Sequence, residues 1–250
     1  MDNQANATTP TPVVSSALTR MSNVFAAPSE LFSEVAAAPP QTTSWLLPLL
    51  AVVIMSIFSS YAIYNNADLR QQIFTMQQKG MQKSVAEGKM TQEQFDTAAD
   101  RMENSGPVMF IIIGSFIGIF PAVFVLFLGT LAVWLIVKLG LKSPAPYSKL
   151  LETYGLTQWI GVLGGIVTII LINVMNSMTA TPSPGLLLGE SYDIFDKGHK
   201  LLGSLNVFTL WQFGVFGIGI AKVAGKSVGT GMLVAYGVWA VGILLVTVVF

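Results

Sequence analysis

Very few residues in this chain could do covalent or metal chemistry: there is no cysteine and one histidine, His199. Without a thiol, disulfide frameworks, thiolate nucleophiles and cysteine-based zinc or iron–sulfur sites are all excluded. One imidazole cannot build a histidine-cluster metal site, and His199, between Gly198 and Lys200, reads as a wet loop residue. The string AGKSVGTG at 224–231 holds Gly225, Lys226 and Ser227, which match the end of a phosphate-binding loop. The earlier glycine that motif needs falls on Ile220, so a tight turn between two apolar segments is the expectation. No nucleophile elbow, zinc-binding H-E-x-x-H or paired-carboxylate helix is found. The sequence therefore predicts no catalytic residue, no cofactor, no metal and no enzymatic activity.

The polar residues that fall inside apolar stretches are Asn173, Asn176, Ser177, Asn206 and Gln212. In hydrocarbon such side chains hydrogen-bond between helices at about 0.6–2 kcal/mol each. Adhesion is the preferred role. A polar substrate path is the alternative, and it requires Asn173, Asn176, Asn206 and Gln212 to face one cavity.

The elements that must carry these groups follow from the distribution of charge. Only 10% of the 250 residues are charged and 52% are hydrophobic, against roughly a quarter charged in soluble domains. The net charge is zero, so no global field attracts nucleic acid. Five apolar stretches are long enough to cross a hydrocarbon core of about 30 Å as helices, at about 45–64, 108–137, 159–178, 201–223 and 231–249. The second is overlong for one perpendicular crossing. Pro121 inside it predicts a kink near Phe116 to Pro121, relieved by neighbouring helices or by Ser115, with a re-entrant segment as the alternative. The fold class is all-α: a polytopic membrane bundle with five transmembrane helices, occupying 41–250.

Three other segments are predicted. Residues 1–24, rich in Thr, Ser, Pro and Ala, read as a disordered tail. Residues 25–40 read as an amphipathic helix in the interface plane, with Pro28 in its first turn and Leu31, Phe32 and Val35 at helical spacing. Residues 65–106 hold nearly half of the charges and read as an extramembrane helical hairpin, broken at Gly88 and restarted by a capping box at Thr91 and Gln94. Met76, Met81, Met90, Phe95 and Met102 form its candidate partner surface, although packing of the hairpin on itself is the plainer use of a methionine stripe.

Small residues recur at close-packing spacing: Gly114 with Gly118, Gly161 with Gly165, Gly217 with Ala221, and Gly225 with Gly229. Five crossings put the amino terminus and the basic loops carrying Lys138, Lys142, Lys149, Lys222 and Lys226 on one side. The positive-inside tendency then predicts a cytoplasmic amino terminus and an extracytoplasmic carboxy terminus.

Three stretches in order resemble the Yip family of membrane proteins (Ypt/Rab-interacting-protein-like domains), in its bacterial form. They are FAAPSELFSEVAAAPPQTTSWLLPLL; PAPYSKLLETYGLTQWIGVLG, with its Tyr154–Gly155 step; and LNVFTLWQFGVFGIGIAKVAGKSVGTGMLVAYGVW, with Phe208, Trp211, Gly217, Gly219 and Lys226. The resemblance covers 25–250 and implies a five-span bundle with a cytoplasmic amino terminus, here in a bacterial inner membrane. Eukaryotic members are associated with small GTPases, which makes a GTPase a partner by analogy alone. The hairpin is longer than the family core. The expected function is a non-enzymatic membrane adaptor or accessory subunit, bound to membrane lipids and to other membrane proteins or itself. A small-molecule or ion transporter or channel is the alternative.

Overall fold

The computed structural model describes residues 14–249. Among them are ten α-helical elements, α1 (Ala17–Ala26), α2 (Pro28–Ala37), α3 (Thr43–Asn65), α4 (Ala67–Ala86), α5 (Gln92–Glu103), α6 (Pro107–Gly140), α7 (Tyr147–Val174), α8 (Lys197–Ser204), α9 (Val207–Ala224) and α10 (Val228–Val249), with a 3-10 helix at Pro184–Ser191 between α7 and α8. Helices α3, α6, α7, α9 and α10 are long and apolar enough to cross a membrane, and the chain is an integral membrane protein. Their outward faces carry exposed Ile, Leu, Phe and Val, as hydrocarbon solvent allows.

The span boundaries differ from the sequence reading in instructive ways. Helix α7 runs unbroken from Tyr147 to Val174, so the span predicted from residue 159 begins twelve residues earlier and ends before Met178. Its polar first turns stay helical because neighbouring helices bury them. Helix α9 starts at Val207, not at residue 201. Asn206 accepts hydrogen bonds from the Phe208 and Thr209 amides as its N-cap, and α8 precedes it separately. His199 lies in the first turn of α8 rather than in a loop, its Nδ1 accepting from the Asp193 amide at 3.0 Å.

Helix α6 spans 34 residues without re-entry. Its irregular turns are π-type, at Val125–Gly129 and Ile136–Gly140, so they follow Pro121 rather than precede it. Ser115, expected to relieve the proline, is buried with its Oγ unpartnered.

The amino-terminal segment departs furthest from expectation. The tail predicted over 1–24 is helical from Ala17 onward, started by the Ser16 hydroxyl accepting from the Thr19 amide. The first thirteen residues of that prediction lie outside the described residues. Nor does α2 leave its apolar face open. Leu31, Phe32 and Val35 are buried against α7 and α9, in one cluster with Val24, Leu156, Ile160 and Val215. Leu156 and Ile160 are one and two turns further along α7 than Glu152. The ring of Phe25 meets Trp211 edge-on at 5.8 Å. Thus α1 and α2 form a wedge that runs down beside two spans and back.

At the opposite end of α3 stands the predicted hairpin, α4 and α5. Gly88 takes a left-handed φ of 70° in its turn, and the Thr91–Gln94 capping box is complete.

Candidate functional site

Among the described residues, the one dense group of buried charges lies where α1, α2, α3 and α7 meet. Arg20 is 2% exposed and Glu152 is fully buried. Nη1 of Arg20 donates to Oε1 of Glu152 at 2.7 Å and to Oγ of Ser44 at 2.9 Å. Nη2 and Nε donate to Oε1 of Glu34 at 2.8 and 3.1 Å. Ser44 in turn donates to Glu152 at 3.1 Å. Lys149, one turn before Glu152, lies 3.4 Å from its Oε2 and donates to the carbonyls of Val35 and Ala38. Those carbonyls are at the end of α2, where backbone acceptors lack helical partners and the helix dipole favours a cation.

Two cations thus meet two carboxylates inside the protein, and every charged group has a partner. Such an arrangement offers no free base or nucleophile. It joins the wedge to the first and third spans. The sequence reading had placed Arg20 in a tail and Lys149 in the basic connection before the third span. The only sequence signal was a lone arginine in a leader whose one other charge is Asp2, followed by Glu30 and Glu34.

Burial by itself raises the pKa of Glu34, but the Ser15 hydroxyl and amide and the Arg20 guanidinium outweigh it and hold the carboxyl below its ordinary 4.5. Because the folded-state value is the lower one, this group stabilises the fold above pH 4.5, and the contribution fades as acid titrates the carboxyl below that. Thermal unfolding in detergent is expected to lose midpoint more steeply below that pH in the native protein than in Glu34→Gln. Parallel pH profiles would contradict the role given to Glu34.

The glycine pairs divide. Gly114 and Gly118 face the Ser60 and Ser56 side chains of α3, where an added Cβ would sit 2.7 and 2.8 Å from a hydroxyl oxygen. Gly161 faces Gln212 on α9, and Gly165 faces Met55 on α3. Gly217 and Ala221 pack on α10 around Gly231. The pair Gly225 and Gly229 does not pack: Gly225 ends α9 with a left-handed φ of 64°, and Gly229 faces open space but for Ser227 at 4.0 Å. A turn, not a helix contact, requires the first of these.

The polar candidates are dispersed. Asn173 is exposed and donates to the Ile169 carbonyl of its own helix. Asn176, with a φ of 49°, ends α7 and bonds Asn66 and Asp68, while Asn206 caps α9. Only Gln212 is buried between spans. They share no cavity.

In the hairpin, Met76, Met81, Met90, Phe95 and Met102 are all half-buried. Met81 and Met102 line a cleft of about 900 Å³ between α3, α6, α7 and the hairpin, whereas Met76 faces the segment that follows α7.

The profile of the Yip1 domain matches residues 22–249, from within α1 to the end of α10. The chain belongs to the Yip1 family. The match takes in all five spans and the wedge from its first helix onward, so this Yip1 domain includes Glu34, Ser44, Lys149 and Glu152. No curated protein and no solved structure matches the chain.

Proposed function

We propose that this Yip1-family protein is a non-enzymatic adaptor or accessory subunit of a membrane complex, with the α4–α5 hairpin as its docking element. The observation that carries this reading is the state of α5. It is amphipathic, none of its residues whose burial is described is buried, and Phe95, Ala98 and Met102 recur at helical spacing with their apolar surface half open. A helix of that kind gains most by laying its apolar face on a partner. The transport reading has lost its support, because Asn173, Asn176, Asn206 and Gln212 do not converge.

The basic loops favour an amino terminus in the cytoplasm, and on that reading, in a bacterial inner membrane, the hairpin stands outside. Its partner is then another membrane protein or an extracytoplasmic domain. A cytosolic GTPase would meet only the wedge side.

The test is native mass spectrometry of the full-length protein released in mild detergent, beside Phe95→Ser/Met102→Ser. We expect protein partners on the native chain, their loss from the variant, and an unchanged melting temperature. A native chain that travels without protein partners would overturn the reading.

A further inference from the structure

We infer that the cleft between α3, α6, α7 and the hairpin is the seat of a membrane phospholipid, its chains inside and its headgroup under α4. The cleft has a volume of about 900 Å³, inside the range of roughly 300–1,000 Å³ typical of ligand sites. Its lining runs from Val52 to Ile63 on α3 and from Gly161 to Ile172 on α7. Each stretch is about 16 Å of helix at 1.5 Å per residue, which is the depth of one leaflet of a hydrocarbon core about 30 Å thick.

The chemistry of the walls selects the occupant. Those deep polar side chains whose bonds are resolved have turned back on their own helices. Ser60 donates to the Ser56 carbonyl and Thr168 to the Gly164 carbonyl, each at 2.9 Å. Walls of this kind give water too few partners to hold it, but they suit an acyl chain. Ile113 and Ile117 line the cleft and are at the same time exposed, so it opens sideways to the surrounding lipid.

Polarity changes at the hairpin end. There the roof is one face of α4, with Gln77 and Ser84, joined by Ser105 after α5. Ser84 and Ser105 bond their own backbones, while among the described residues the amide of Gln77 makes no hydrogen bond. It is the free polar group at the level where a headgroup or its ester would lie. Cationic and acidic side chains are nearly balanced over the hairpin, so the headgroup's charge is not what is selected.

Two measurements on the full-length protein in liposomes test this. A phosphatidylcholine with a diazirine in its acyl chain is irradiated, and adducts are mapped by mass spectrometry. We expect several-fold enrichment at Val52, Met55 and Ile169 over the outward-facing Ile54, Phe58 and Phe120. Adducts spread evenly over both sets, or enrichment with a free diazirine fatty acid alone, would overturn the inference. Because the chain has no cysteine, Ser59→Cys can be probed alone. A charged, water-soluble maleimide should label it many-fold more slowly than Thr97→Cys on the exposed side of α5. Equal labelling would mean a water-filled cleft, and the proposed lipid would be wrong.

Discussion

Glu152→Ala is expected to destabilise the protein by about 3–5 kcal/mol, the usual cost of removing one partner from a buried ion pair. Glu152 is fully buried and accepts from Arg20, Ser44 and Lys149. Its loss leaves Arg20 with Glu34 and the Ser44 hydroxyl, and Lys149 with only the carbonyls at the end of α2. Both cations stay buried with less compensation than before. Thermal unfolding in detergent should show the loss, and proteases should cut the wedge first, since α1 and α2 are held to α7 through this residue. The pairing itself need not be net stabilising, because two buried charges carry a heavy desolvation cost. Arg20→Met/Glu152→Met should therefore be closer to the native protein than either single change, and the double-mutant cycle gives the coupling. Native-like melting and proteolysis of Glu152→Ala would mean that the cluster does not hold the wedge in place.

This cluster also marks the limit of what the residue order reveals. Arg20 pairs with Glu34 across 14 positions and with Glu152 across 132. No local period announces such a contact, and an arginine in a Ser- and Thr-rich leader looks solvated. The same blindness shortened the third span: Tyr147 to Gln158 is polar enough to end a hydropathy run, yet the wedge and the neighbouring spans bury it and it stays helical. The five crossings were legible because hydrocarbon forbids charges and unpaired amides over some twenty residues, a constraint written locally. The capping box at Thr91 was legible for the same reason, since it needs two side chains three apart. The 900 Å³ cleft was not, because a void depends on how whole helices sit beside each other.

The second large effect is expected at Gly231, where α9 and α10 approach most closely. A Cβ there would lie 2.0 Å from the Gly217 carbonyl oxygen and 2.8 Å from the Ala221 amide nitrogen. Both are backbone atoms, so no side chain can swing aside, and Gly231→Val must push the two spans apart. Between helices in lipid there is no hydrophobic force to restore contact, because lipid tails are as apolar as the side chains; close packing and hydrogen bonds supply the adhesion. Overfilling a packed interior costs about 1–3 kcal/mol where side chains adjust, and a backbone clash should reach the top of that range or beyond. Gly237 lies on the same helix with nothing within 4 Å of an added Cβ. Gly237→Val thus carries the same change in composition and helix propensity without the clash. Thermal unfolding in detergent should place Gly231→Val well below Gly237→Val, and Gly217→Val should fall with it, because that glycine meets the Met232 backbone at 2.9 and 3.0 Å. Equal midpoints for the variants at 231 and 237 would mean that the two spans are not in backbone contact, and the small residues at 217, 221 and 231 would then need another explanation.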